Sequence, residues 1–189
     1  LEREGCGSTG SRLLRGDREA FRAVERRFAR FKRAEDAVYF SSGYLANVGV
    51  LSALAEEGDI IFSDAHNHAS LIDGMRLSRA RVIVYPHDDL PALRRAIESA
   101  PPAGLRLIVV ESLFSMDGTI APLEEYAALA RAAGATLVVD EAHAVGVYGA
   151  GGRGLIEEAG LEHDAVVSIN TAGDRKSTRL NSSHVSESR

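Results

Sequence analysis

The sequence contains one cysteine, Cys6, among its 189 residues. An internal disulfide is therefore excluded, and because such cysteine usage is typical of a reducing compartment, we expect a cytoplasmic protein. Positive charge is not in excess either, since the formal net charge is -5. Nucleic acid is therefore not an expected partner. No apolar run approaches the roughly 18 residues of a membrane span, so a membrane is not an expected partner.

The glycine-rich start, residues 5–16, lacks the features of a phosphate-binding P-loop. That loop needs a preceding strand and a lysine directly before its serine or threonine, and neither is present. The glycines argue against a helix and predict a loop that can bring backbone close to a ligand. The chain begins at Leu1 without an initiator methionine, as expected for a piece cut from something longer.

The rest of the chain alternates short apolar runs with amphipathic segments, and 45% of all residues are hydrophobic. Strands that alternate with helices of about ten residues predict an α/β fold, with a mostly parallel sheet covered by helices on both faces. Asp17 is the expected N-cap of the first helix. The predicted strands are 37–40, 59–62, 81–85, 105–110, 137–140 and 165–170. The predicted helices are 17–33, 45–54, one ending near 78, 90–99, 123–133 and a short one after 154.

The stretch TLVVDEAHAVGVYG, residues 136–149, takes a short apolar run into three ionisable side chains. Asp140, Glu141 and His143 follow the run. Ligands of open α/β sheets bind at the carboxyl ends of the strands, so these groups are candidates for a site. A strand that stops at a solvated turn is the alternative. We favour the functional interpretation because a carboxylate at the mouth of a buried strand needs a partner.

Other predicted strands also end in polar or small residues. Gly43 and Tyr44 lie between a strand and a helix, where free backbone N–H groups and the positive end of the helix dipole suit a phosphate. An ordinary helix cap by Ser42 is the alternative there. The remaining candidates at strand ends are His68, Ser115 and Thr171.

A flat, anionic cofactor would use such a set of groups for its phosphate, its ring face, its ring oxygen and its ring nitrogen. Pyridoxal 5'-phosphate (PLP) is the obvious candidate. A carboxylate such as Asp140 beside the pyridine nitrogen keeps that nitrogen protonated, and the protonated ring withdraws electrons from a bound amino acid.

His66 and His68 lie two residues apart, a spacing that holds a metal ion only if a strand directs both side chains to one side. They lie instead in a turn that leads into a helix, and no carboxylate or cysteine completes an obvious ligand set. We therefore expect no metal at this pair.

Four motifs occur in order: FSSGYLAN, NHASLIDG, ESLFSMDGTIAPL and VDEAHAVGVYGAGGRG. Together they resemble the α-oxoamine synthases, a family that includes 8-amino-7-oxononanoate synthases and glycine C-acetyltransferases. The resemblance covers residues 5–173. Asp-Glu-Ala-His also occurs in helicases, but those proteins need an upstream Walker A lysine loop, which is absent.

The resemblance implies that residues 1–173 are part of the large domain of a fold-type-I PLP-dependent transferase. By that resemblance, Asp140 would pair with the pyridine nitrogen and His68 would stack on the ring. Ser115 and His143 would bond the phenolic oxygen of the cofactor. Of these residues, the ones also expected to act in catalysis are His68 and His143.

The same resemblance implies the phosphate contacts and the reaction. Gly43 and Tyr44 would offer backbone to the phosphate region, and Thr171 would also meet the phosphate. Family members join an amino acid to an acyl-CoA, and in most of them carbon dioxide leaves. The full-length enzyme is expected to be a homodimer.

The sequence departs from the family pattern at two points. Phe21 stands where members often have a histidine. The cofactor lysine is expected directly after Gly173, but Asp174 is there, and Lys176 lies two places later. Residues 174–189 contain no core pattern, so we interpret them as a disordered tail of foreign sequence and the chain as an inactive fragment. The alternative is a lysine-free cofactor-binding or regulatory subunit that pairs with a full-length partner.

Overall fold

Five parallel strands form the sheet at the centre of the described structure, a computed structural model that describes residues 10–164 and 166–171. The order across the sheet is β2-β1-β3-β4-β5, so β3 lies between β1 and β4. This confirms the predicted parallel α/β sheet. The strands are β1 (Ile60–Asp64), β2 (Arg81–Tyr85), β3 (Arg106–Glu111), β4 (Thr136–Asp140) and β5 (Val166–Ile169).

Helices cover both faces of this sheet, as the sequence predicts. Alternate residues of the central strands enter two separate apolar clusters, because successive side chains of a strand point to opposite faces. One face packs against α4 and α5 through Leu93 and Tyr126, and the other against α2 and α3 through Leu51 and Leu71. The helices are α1 (Glu19–Lys32), α2 (Gly43–Leu54), α3 (Ala69–Ser78), α4 (Leu90–Ser99), α5 (Leu123–Ala133) and α6 (Leu155–Glu158).

Short polar side chains and glycine set the helix ends. The Oγ of Ser42 accepts a hydrogen bond from Leu45 N at 3.2 Å, which caps α2 and starts it two residues before the predicted start. Asp89 caps α4 through Ala92 N at 2.8 Å. Gly134 ends α5 in the left-handed conformation, with φ of 59°. None of the helices in residues 10–164 and 166–171 combines the length and apolar character needed to cross a membrane.

The described residues fall into two separate compact units, one within 10–39 and the other within 40–171. In the first unit, a single helical turn, Arg12–Gly16, precedes α1 and replaces part of the predicted loop. The prediction that Asp17 caps α1 is wrong, since the N-cap is Arg18. Asp17 instead binds the guanidinium groups of Arg12 and Arg22, at 3.0 and 2.6 Å.

The predicted strand at 37–40 is also wrong. These residues have no regular secondary structure and join no ladder of the described sheet, and Tyr39 donates its N–H to the Glu25 carboxylate at 2.8 Å. The predicted start of the last strand at Ala165, the tail at 174–189 and the loop residues 5–9 lie outside the described residues, as do Cys6, Asp174 and Lys176.

Candidate cofactor site

The carboxyl ends of β3 and β4 place two buried carboxylates next to each other. Glu111 and Asp140 are register partners in the sheet, and they are 4% and 5% exposed. Asp140 Oδ1 accepts from Ala142 N at 2.9 Å, and its Oδ2 accepts from the side chain of Asn47 at 2.8 Å. Burial raises the pKa of Asp140, against the opposing effects of these donors and of His143. Because both of these direct hydrogen-bond donors are neutral, they compensate the negative charge of the carboxylate only in part.

Asn47 connects Asp140 to the first turn of α3. Its Nδ2 group donates to Asp140 and also to Ser70 Oγ, both at 2.8 Å. Ser70 Oγ lies 2.7 Å from His68 Nδ1. Because the hydroxyl accepts from Asn47, its own hydrogen is free to donate to His68. A continuous polar chain therefore runs from the end of β4 to the imidazole of His68.

Sequence reasoning missed Asn47. The signal for it is the isolated amide in the apolar run LANVGVLSAL of α2. The side chain is buried, at 3% exposed, and its Oδ1 has no hydrogen-bond partner among the described residues. Burying an amide in an apolar helix destabilises the fold unless hydrogen bonds offset the loss of hydration. Asn47 is therefore a further candidate residue of the site.

His68 caps α3 and is anchored from two sides. Its backbone N–H donates to Glu111 Oε1 at 2.7 Å. Its Nδ1 accepts from Ser70 N at 3.2 Å, so the neutral ring carries its proton on Nε2. This fixes both the position and the tautomer of the imidazole.

Glu111 is the second residue that sequence reasoning left out of the site, although it was visible as the polar end of a predicted strand. Burial and the neighbouring Asp140 raise its pKa to about 7, against backbone hydrogen bonds from His68 and Ser115. The carboxylate therefore ties His68 to the end of β3. Ser115 itself is exposed in the loop after β3.

The start of α2 lies against the end of β5. A Cβ atom added at Gly43 would collide with the Thr171 methyl group, so a larger residue would displace the Thr171 side chain. Thr171 Oγ1 donates to Ala142 O at 3.3 Å, in the turn that follows Asp140. The structure therefore brings Gly43 and Thr171 together beside the turn after β4. Tyr44 directs its hydroxyl to Asp73 on α3.

His143 and Glu141 follow Asp140 but have different surroundings. His143 is half-buried in the turn after β4, and its charge favours the ionised form of Asp140. Glu141 is completely buried and accepts from Ile156 N at 2.9 Å. The close approach of Gly154 to this carboxylate shows that Glu141 secures the start of α6. Asp140 belongs to the polar chain toward α3, and Glu141 does not.

His66 and His68 have different partners, although they lie two residues apart. His68 joins the cluster of Glu111 and Ser70, as described above. His66 Nδ1 instead lies 3.2 Å from Asp117 Oδ2 in the loop after β3.

These residues fit PLP on chemical grounds. A protonated pyridine nitrogen would supply the positive charge that buried Asp140 lacks among its direct donors. The N-terminus of α2, beside Thr171, offers backbone N–H donors suited to a phosphate. The buried Oδ1 of Asn47, unpartnered within the described part of the chain, offers an acceptor. The fixed imidazole of His68 lies on the same polar chain as Asp140.

The fold and these contacts define a class of protein. The chain belongs to the aminotransferase class I and II family, whose model matches residues 2–173.

Within that family, the comparisons confirm the predicted likeness to the α-oxoamine synthases. The chain is 49% identical over 173 residues to an 8-amino-7-oxononanoate synthase from Geobacter metallireducens, which covers 92% of this chain and 44% of the relative. The chain therefore spans less than half the length of this relative.

Two solved structures give the same result for the fold. The serine palmitoyltransferase of Sphingomonas wittichii has a TM-score of 0.84 and 42% identity, over 89% of this chain and 43% of that one. The serine palmitoyltransferase of S. paucimobilis with a bound PLP–myriocin aldimine has a TM-score of 0.84 and 39% identity, over 89% of this chain and 44% of that one.

Proposed function

We propose that this chain forms the large-domain part of a PLP-dependent acyltransferase of the 8-amino-7-oxononanoate synthase type. The observation that carries this proposal is the polar chain from buried Asp140 through Asn47 and Ser70 to His68. It lies at the carboxyl ends of the central strands, where ligands of α/β sheets bind. The membership of the family and the relatives named above support the same assignment.

In this proposal the described residues hold and orient PLP. Asp140 keeps a proton on the pyridine nitrogen, and Asn47 holds the carboxylate in place. His68 packs on the ring face with its tautomer fixed by Ser70. When bound, PLP supplies an electron-poor ring that stabilises negative charge on the amino acid substrate.

Other predicted residues contact the oxygen-bearing parts of the cofactor. Gly43 and Tyr44 offer backbone N–H groups to the phosphate, and Thr171 offers its hydroxyl. Ser115 and His143 bond the phenolic oxygen. We propose that His68 and His143 also act on the substrate in catalysis.

The substrates that we propose are a small amino acid and an acyl-CoA. The α-carbon of the amino acid loses a proton and bonds to the acyl carbon, the C–S bond of the thioester breaks, and the thiolate takes up a proton and leaves as free CoA. As in most of the family, the carboxyl group then leaves as carbon dioxide and a proton replaces it on the α-carbon. We further propose that the full-length enzyme is a homodimer. These are statements about the whole protein, of which this chain matches less than half.

The chain as given lacks the lysine that the family pattern predicts. The sequence contains two lysines, Lys32 and Lys176, and neither lies at position 174. We propose that the chain does not turn over substrate by itself and that its tail at 174–189 is foreign. A lysine-free cofactor-binding subunit is the second candidate, and position 174 is the observation that favours it.

A chimera tests the proposed function. The chain would carry Asp174→Lys and continue with the C-terminal remainder of the G. metallireducens relative. We expect it to become yellow with PLP and to release CoA from an acyl-CoA in the presence of glycine, alanine or serine. A folded chimera that binds PLP but forms no product with any pair would refute the acyltransferase assignment.

A further inference from the structure

A second cluster of ionisable side chains lies outside the proposed cofactor contacts. His66, His87 and Asp117 bring one potential ligand atom each to within 4.8 Å of one another. His66 follows β1, His87 follows β2 and Asp117 lies in the loop after β3, so three neighbouring strand ends contribute. The imidazole rings stack with centroids 4.1 Å apart and an angle of 13° between their planes.

The separations of the ligand atoms suit a tetrahedral ion, and the exposed His66 ring would turn out of the stack to direct its lone pair at that ion. Asp117 Oδ2 is 3.2 Å from His66 Nδ1 and 3.5 Å from His87 Nε2. Zinc binds imidazole nitrogen and carboxylate oxygen at about 2.0–2.1 Å, so the ligand atoms of a tetrahedral site are separated by about 3.3 Å. The two measured separations lie on either side of this value.

The second nitrogen of His87 is already fixed in the manner of a metal ligand. His87 Nδ1 lies 2.9 Å from Asp64 Oδ1, and this carboxylate is buried. An ionised carboxylate only accepts hydrogen bonds, so Nδ1 carries the hydrogen and Nε2 of the neutral ring presents a lone pair. Metal-binding histidines characteristically donate their other N–H to a carboxylate in this way.

Asp64 is itself held in position. Its Oδ1 also accepts from His66 N at 2.8 Å, and its Oδ2 accepts from Asp88 N at 3.1 Å. The Phe114 and His87 rings form a T-shaped pair, with centroids 4.5 Å apart and 80° between their planes. The orientation of the His87 imidazole is therefore determined before any ion binds.

His87 Nε2 is buried and has no hydrogen-bond partner among the described atoms. It faces Asp117 Oδ2, and two acceptors that face each other repel unless a cation or a proton lies between them. Asp117 Oδ1 accepts from Thr119 N at 3.0 Å, which leaves Oδ2 directed at the imidazoles. A small cavity of about 230 Å³ opens beside His66 and Asp117 and has room for a further ligand such as water.

We propose that His66, His87 and Asp117 bind a zinc-class divalent cation, with Asp64 orienting His87. Two imidazoles and one carboxylate form a ligand set typical of zinc sites that keep one position open. The ion would join the loop after β3 to the ends of β1 and β2. That loop also carries Ser115, so binding would order one wall of the proposed cofactor site. The proposal for the ion depends only on the cluster and not on the proposed function.

Calorimetric titration of the metal-free 189-residue chain with Zn²⁺ alone tests this proposal at neutral pH. We expect saturable binding of one ion per chain and release of protons, because bound histidines must be neutral. His66→Ala and Asp117→Asn should each weaken binding by about 10-fold or more, and Asp64→Asn by roughly 10–100-fold.

Further variants distinguish the loss of zinc binding from a loss of folding and from binding at another site. The His66 side chain is 53% exposed, whereas that of His87 is 16% exposed, so His66→Ala provides the test even if a His87 variant fails to fold. His163→Ala, an exposed position, is the matched control and should bind like the parent chain. Absence of saturable binding overturns the proposal. Binding that survives His66→Ala but is lost in His143→Ala would place the ion in the other cluster and also overturn it.

Discussion

Neighbouring carboxylates at the end of β4 differ in what surrounds them. Asp140 accepts from Asn47, and Glu141 accepts from the start of α6. Their side chains leave the strand end in different directions, and this determines which of them can meet a cofactor.

We therefore predict that Asp140→Asn weakens the noncovalent affinity of the chain for PLP by about 10-fold or more. An amide cannot hold the pyridine nitrogen protonated, and a lost charged hydrogen bond costs roughly 1.5–3 kcal/mol. Fluorescence titration with PLP measures the effect. Glu141→Gln is the matched control and should leave the affinity within about twofold of the parent value. Equal losses in the two variants would show that Asp140 is the wrong carboxylate.

Glu111 gives a pH-dependent prediction. Its pKa is raised by burial, from 4.5 to about 7, so the folded state favours the protonated form. Its contribution to stability is complete below the unfolded pKa and is lost as the pH rises through about 7. Glu111→Gln keeps an acceptor for the backbone N–H of His68 but removes the titration. The Tm of the variant relative to the parent should therefore rise between about pH 5 and about pH 8.

Thermal unfolding across this range checks the prediction. Glu98→Gln, at an exposed position on α4, controls for the loss of one negative charge. If the difference in Tm between Glu111→Gln and the parent stays constant with pH, Glu111 does not titrate in this interval.

Among the elements, the packing of α2 against α3 is what positions Asn47 beside Ser70. Gly74 makes this packing possible, since a Cβ atom there would lie 2.8 Å from Asn47 O and 3.1 Å from both Leu51 Cβ and Val48 Cα. Two of these three atoms belong to the backbone of α2, so the helix itself would have to move.

Gly74→Ala should destabilise the fold by about 1–3 kcal/mol. This holds even though alanine gains about 1 kcal/mol over glycine in helix propensity. The denaturation midpoint in urea measures the change. Leu77→Ala, on the same helix with a side chain 62% exposed, is the control and should have a smaller effect. If Gly74→Ala is as stable as the parent chain, α2 can move away from α3 without a loss of stability.

The elements were largely predictable from the sequence because the strands are continuous apolar runs and the helices have caps or glycine at their ends. The prediction of a strand at 37–40 was wrong because β-propensity alone does not provide a neighbouring strand to pair with. Asp17 failed as a cap because Arg12 and Arg22 compete for its carboxylate. The spacing of apolar residues indicates which face of a segment is buried. It does not indicate which charged side chains form ion pairs.

The candidate site was less predictable for a related reason. Asp140 and His68 were visible as polar groups at strand ends, but Asn47 reaches them from a helix. The cluster of His66, His87 and Asp117 combines three separate segments, so no spacing within a single segment predicts it. Only the order of the strands, with β1 between β2 and β3, brings those segments together.

For the whole molecule, we predict that PLP binds without a covalent bond. Lys32 lies in α1, and Lys176 is two places after the position that the family pattern assigns to the cofactor lysine. Only hydrogen bonds and stacking then hold the cofactor. Borohydride reduction of the chain with PLP, followed by peptide mapping, should find no stoichiometric label at one lysine.

The Asp174→Lys chimera described above is the positive control for this labelling, and its new lysine should be trapped. Stoichiometric labelling of Lys176 in the unmodified chain would contradict the prediction. It would also make the tail part of the active site.

The hydrogen bond from Asn47 to Asp140 joins residues 93 positions apart in the chain. Bringing the ends of a loop of that length together costs about 4 kcal/mol in chain entropy, so no short segment can assemble this contact by itself. The site consequently exists only in molecules that have completed the sheet from β1 to β4. A ligand bound there acts on the folding equilibrium of the entire unit, and at a concentration of about 100 times its Kd it would add roughly 2.7 kcal/mol to the free energy of unfolding.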